Sequence, residues 1–250
     1  MEGDGMDYTA LADELSRRLQ AAGTPERAAS EKAYLKSDLT FYGVTVPAAR
    51  KIVNQFLKQI ELAKRTQVTG LIRVLWKHPV HELRFAATEI IGRHRDLLRA
   101  SDLRLLERLL RECRGWALLD QLATQTGLIL ERLGNATPLL DRWAADEDFW
   151  IRRAALLADL IPLREGRGDF ERFSGYADMM LDEKEFFIRK AIGWVLRDTS
   201  RRRPELVITF AAPRVHRMSG VTVREVVRQL EPEIAEQLMA GYKARSSVDI

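Results

Sequence analysis

Apolar residues recur at three- and four-residue spacing along most of the chain. Leu103, Leu105, Leu106, Leu109 and Leu110 make one such stripe, and Ile188, Ile192, Val195 and Leu196 make another. This period places them on one face of an α-helix, whereas a half-buried strand would alternate every second residue, and no convincing set of alternating strands is found. Prolines mark where helices begin. Pro25 after Thr24, Pro47 after Val46, Pro138 after Thr137 and Pro204 after Arg203 each fit a first helical turn, where the absent N–H has no intrahelical partner to lose. The pattern predicts a dozen or more short helices.

Many short helices in series prompt a search for repeats. HELRFAATEIIGRHR from His81, EDFWIRRAALLADLIPL from Glu147 and KEFFIRKAIGWVLRD from Lys184 resemble one another. Arg84-Phe85-Ala86-Ala87 aligns with Arg152-Arg153-Ala154-Ala155 at an offset of 68, and Phe149 to Arg152 aligns with Phe186 to Arg189 at 37. A copy is therefore expected between the first two, where GWALLDQLATQTGLIL places Asp120 35 residues after Phe85 and 33 before Arg153. The spacing predicts one all-α domain over residues 1–250, an α-solenoid of stacked helix pairs. Its repeats are expected at about 76–113, 114–146, 147–182 and 183–212, with helical caps at both ends. Equivalent positions in such a stack line one concave face. On that logic Asp120, Arg153 and Lys190 are neighbours, with Trp116 and Trp194 each one helical turn from its charged residue.

Composition narrows the class. With 250 residues, 46% hydrophobic and 30% charged, the chain is neither fibrous nor disordered. Its single cysteine, Cys113, excludes an intramolecular disulfide framework, and four scattered histidines argue against a metal centre. The acidic start MEGDGMDYTALADELSRRL lacks a secretion signal, and no apolar run approaches the roughly 20 residues that span a bilayer. A cytoplasmic protein without membrane contact is expected. The net charge is only +4, but Arg93 to Arg114 holds seven arginines against four acids, and Lys184 to Arg203 seven basic residues against two. Basic density thus concentrates on the repeats, giving the expected groove a sign that suits a phosphate backbone. The plainer alternative is that these arginines cover apolar neighbours and pair with nearby acids, Asp148 and Glu185 being candidates for Arg153 and Lys190.

KEFFIRKAIGWVLRD, DFWIRRAALL, the Trp116 to Asp120 element and AYLKSDLTFYGVTVPAARK together resemble the AlkD-type DNA alkylation-repair glycosylases over nearly the full length. The resemblance implies stacked HEAT-like repeats with a basic concave groove, and removal of cationic alkylpurines such as 3-methyladenine and 7-methylguanine. It implies that Asp120 is the essential carboxylate and that Trp116 and Trp194 flank the lesion's deoxyribose. It further implies that Tyr34 is an aromatic in the groove and that Arg50, Arg153 and Arg197 serve the DNA backbone; the repeat alignment adds Lys190 to the expected DNA-binding residues. The partner implied is double-stranded DNA carrying alkylated purines; a monomer working without cofactor or metal is expected. Two positions depart from the family pattern. Gly115-Trp116-Ala117-Leu118-Leu119-Asp120 lacks a second tryptophan and an acid, and Val46 stands where a hydroxyl caps the helix.

An N-alkylated purine is already a good leaving group, so the barrier to its loss lies in positive charge on the sugar. A carboxylate and aromatic faces answer that charge. Read without the resemblance, each residue has an ordinary explanation. Trp76 and Trp143 are read as core, Asp120 is as well explained as a surface charge, and Tyr34 as a lid on the core under Phe41 and Tyr42. Two other functions share the scaffold: a non-catalytic DNA-binding module and a protein-interaction scaffold.

Overall fold

The computed structural model describes residues 6–134 and 136–244, which form helices and connecting turns. Among them no strand occurs, and the sole β-type contact is an isolated bridge between Thr40 and Val80. The chain divides into two compact units, residues 1–125 and 126–250. The first holds α1 (Tyr8–Ala22), α2 (Pro25–Leu35), α3 (Val46–Leu57), α4 (Arg65–Lys77), α5 (His81–Arg93), α6 (Leu103–Arg111) and the start of α7 (Trp116–Leu133). The second holds the rest of α7, then α8 (Thr137–Ala144), α9 (Phe149–Ala158), α10 (Leu160–Arg164), α11 (Phe170–Met179) and α12 (Phe186–Ser200). It ends with α13 (Pro204–Ala211), α14 (Gly220–Val226) and α15 (Pro232–Ala244).

The predicted helix starts coincide with what the caps require. The Thr24 hydroxyl accepts from the Arg27 N–H, with Pro25 as the first helical residue. Pro138 and Pro204 likewise lie in the first turns of α8 and α13. At Val46 the structure corrects the expectation of a lost cap. The capping residue is Thr45, whose hydroxyl accepts from the Ala48 N–H at 3.3 Å. The orphan donor is satisfied one position earlier than the family resemblance implies, leaving Val46 exposed.

In the first unit α1, α3, α4 and α5 pack against one another around Leu15, Val53, Phe56, Ile72, Leu83 and Ile90, all fully buried. In the second unit α9 and α12 are packed together, and α12 is covered further by α10, α13 and α14. Trp76 and Trp143 are core residues, as their periodicity implies.

A local motif recurs with the aligned segments. Arg84 donates to the carbonyl of His78 at 3.2 Å, Arg152 to that of Asp146 at 2.7 Å and Arg189 to that of Glu183 at 2.6 Å, each reaching six residues back. Each guanidinium closes the turn that feeds its helix. Long-range side-chain partners share one spacing too. Trp76–Glu112 are 36 residues apart, Asp141–Tyr176 35, Arg164–Asp198 34 and Asp178–Arg214 36.

Candidate functional site

Gly115, at φ +138° with open space where a Cβ would stand, turns the chain into α7. Positive φ is readily adopted by glycine alone, so the start of α7 is fixed here. Trp116 is then its first residue and Asp120 follows one turn later, both half-buried. Tyr34, near the end of α2, is 73% exposed and meets the Trp116 indole edge to face, with ring centroids 6.2 Å apart. It is therefore not a lid on the core. A small cavity beside Trp116 is lined by Leu35, His81, Arg84, Glu112 and Cys113 among others. Burial depresses the His81 pKa and pushes the Cys113 thiol up to about 12, so both are neutral at pH 7 and neither is primed as a nucleophile.

Two residues the sequence reading missed tie Arg50 towards this element. Arg50 grips Glu89 of α5 with its Nε at 3.0 Å and a terminal nitrogen at 2.8 Å, and Glu89 also accepts from the Gln121 amide at 2.5 Å. The Glu89 bond raises the Arg50 pKa, and the guanidinium lies over the Phe85 ring at 5.8 Å. The signal was present: Glu89 follows Arg50 by 39 residues and precedes Gln121 by 32, both near the spacing of the aligned segments.

The other expected residues stand on the second unit, close to one another. Arg153 on α9 is buried, donates to the Phe187 carbonyl and lies over the Phe187 ring at 5.8 Å. On α12, Lys190 pairs with Glu225 of α14, and Arg197 contacts both Glu225 and Asp198. The Trp194 indole N–H donates to Asp198 at 3.2 Å. The cations are thus paired, but with Glu225, Asp198 and a backbone carbonyl rather than with Asp148 or Glu185. Asp148 instead caps α9 through the Trp150 N–H. Glu225 is 3% exposed; burial opposes its ionisation, yet the Lys190 bond and the charges of Arg197 and Arg228 outweigh that and lower its pKa.

No helix among the described residues is long and apolar enough to cross a membrane.

Solved structures share the fold. A predicted DNA alkylation repair enzyme from Enterococcus faecalis superposes with a TM-score of 0.75 at 23% identity, covering 84% of this chain and 97% of its own. AlkD2 from Streptococcus mutans gives 0.59 at 14% identity, with 95% and 98% covered. Comparison with curated proteins returns no significant match. The sequence itself matches the model of one family, described as DNA alkylation repair enzyme, over residues 15–230, and the chain belongs to that family.

Proposed function

We propose that the protein is a DNA glycosylase that hydrolyses the N-glycosidic bond of cationic N-alkylated purines, of the 3-methyladenine and 7-methylguanine type, in double-stranded DNA. The observation that carries this reading is the opening of α7. There a half-buried carboxylate, Asp120, stands one turn from an indole, Trp116, and an exposed tyrosine, Tyr34, meets that indole in a T-shaped contact. As the bond to the alkylated base lengthens, positive charge leaves the purine and develops on the deoxyribose. Asp120 stabilises that charge and orients or deprotonates the attacking water. Trp116 adds the negative face of its ring, each such contact being worth about 0.5–2 kcal/mol. Family resemblance assigns Trp194 the same aromatic role.

Arg50, Lys190 and Arg197 contact backbone phosphate on this reading. Arg153, being buried, serves the backbone indirectly by holding the first turn of α12 through Phe187. Because the lesion is labile, the base needs no extrusion into a pocket, and the unstacking cost of a few kcal/mol is avoided. The enzyme works as a cytoplasmic monomer without metal or organic cofactor. Chromatography of bases freed from methylated duplex DNA tests this proposal. Release of methylpurines, with undamaged purines retained, is expected. Tight, salt-sensitive binding to the same DNA without release would instead make the protein a non-catalytic binding module.

A further inference from the structure

Trp194 has one hydrogen-bond donor, its indole N–H, and it is half-buried on α12. Its partner is Asp198, one turn further along α12 and 3% exposed. A buried carboxylate at this position would be destabilising unless paired on every side. Asp198 has three partners. Its Oδ2 accepts from Trp194 at 3.2 Å and from the Arg164 Nε of α10 at 2.8 Å, while its Oδ1 accepts from the Arg197 Nε at 3.2 Å. Arg197 in turn reaches Glu225, the second buried carboxylate, which also binds Lys190 and Arg228. Close packing makes that second link possible. A Cβ on Gly193 would come within 2.8 Å of the Glu225 Cβ and 3.2 Å of the Thr222 Cα, so α14 approaches α12 only because residue 193 is glycine. Two buried carboxylates therefore fix an indole and two cations of one helix into a single network that reaches from α10 to α14.

We propose that Asp198 is a positioning residue for base excision: it sets the ring orientation of Trp194 and couples it to Arg197, so that the indole face is ready before substrate arrives. The claim rests on the glycosylase reading above. Asp198 touches no reacting atom. It acts through Trp194, presenting the ring to the sugar on which charge develops, and a preset ring needs no reorganisation in the transition state. A carboxylate acceptor also makes the indole bond charge-assisted, stronger than a neutral one.

A double-mutant cycle with two readouts tests it, using the full chain with Asp198→Asn, Trp194→Phe and the combined variant. The first readout is the single-turnover rate of 7-methylguanine release at saturating methylated duplex. The second is the indole ¹H–¹⁵N resonance of Trp194, assigned by its loss in Trp194→Phe. Asp198→Asn is expected to slow release about tenfold, to shift the Trp194 resonance upfield, and to slow release no further in the Trp194→Phe background. Asp198→Leu, which cannot accept the bond, should shift the resonance further and slow release at least as much. DNA affinity should stay within about threefold, since Glu225 still holds Arg197. A merely structural aspartate would lower thermal stability, leave the rate unchanged below the melting transition and add to the tryptophan variant independently. An unmoved resonance, an unchanged rate or an additive cycle in an active parent overturns the proposal. A parent that releases no base refutes the glycosylase reading itself, a separate outcome.

Discussion

Replacing Glu82 with alanine should destabilise the first unit more than removal of any exposed ion pair there. Glu82 lies in the first turn of α5, is 2% exposed, and its Oε1 accepts three successive backbone N–H groups, from Tyr42 at 3.0 Å, Gly43 at 2.8 Å and Val44 at 3.2 Å. These three residues form the turn that leads to the Thr45 cap and hence to α3 and Arg50. The turn has little freedom to adjust. Gly43 sits at φ +77°, and a Cβ there would stand 2.2 Å from the Thr24 carbonyl oxygen. A hydrogen bond to a charged group contributes about 1.5–3 kcal/mol, but three that share one oxygen do not sum in full. Leaving these three N–H groups without their acceptor should therefore cost about 3–5 kcal/mol. Glu82→Gln, which keeps an acceptor and loses the charge, should cost about 1–2 kcal/mol. Glu31→Ala, which breaks the partly exposed Arg27 pair, should cost under about 1 kcal/mol. Urea unfolding monitored by circular dichroism measures all three, with an unchanged m-value showing that the unfolded state is not what changed. Alanine within about 1 kcal/mol of the parent, or glutamine as harmful as alanine, would show that the carboxylate does not hold the turn.

Arg153→Ala should cost about 2–4 kcal/mol in the same assay, because it strips a buried cation from the Phe187 carbonyl and ring. Gly127→Ala should reverse the usual helix preference of up to about 1 kcal/mol for alanine over glycine. Its Cβ would lie 1.9 Å from the Ala158 carbonyl oxygen, so the melting temperature should fall sharply. Burial raises the Asp159 pKa to about 6, ahead of the opposing Arg172 bond. The folded chain then binds the proton more tightly than the unfolded one, so this carboxylate's contribution to stability falls as pH rises from about 4 to about 6 and stays low above that. The difference in stability between the parent and Asp159→Asn should shift against the parent by about 2–3 kcal/mol across that window, and a flat difference would contradict it.

Much of the architecture was legible because its signals are local. Proline at the first turn, apolar period and the Arg84, Arg152 and Arg189 segments mark helices and their recurrence without knowledge of any distant contact. Partner choice was harder. Glu225 is no nearer in sequence to Lys190 than many other acids, and Glu185 is nearer; only the packing of α14 on α12 brings Glu225, 35 residues on, to Lys190. Adding about 35 residues to Lys190 or Arg164 would have found Glu225 and Asp198. The Thr45 cap is not legible from the resemblance, which marks the position before Pro47, because backbone geometry decides which hydroxyl faces the free N–H groups. Tyr34 shows the opposite limit. An aromatic side chain 73% exposed has no explanation in apolar pattern, and only its contact with Trp116 gives it a place beside the candidate carboxylate.

The central claim is that Asp120 supports bond cleavage rather than binding, and base release by parent and Asp120→Asn, side by side on one preparation of methylated duplex, tests it most directly. The variant is nearly isosteric, so DNA affinity measured on the same samples should match the parent's. Release of 7-methylguanine at saturating protein should fall about a hundredfold or more, the scale of losing one transition-state electrostatic contact. Equal rates of release would contradict the assignment of Asp120 to the chemistry.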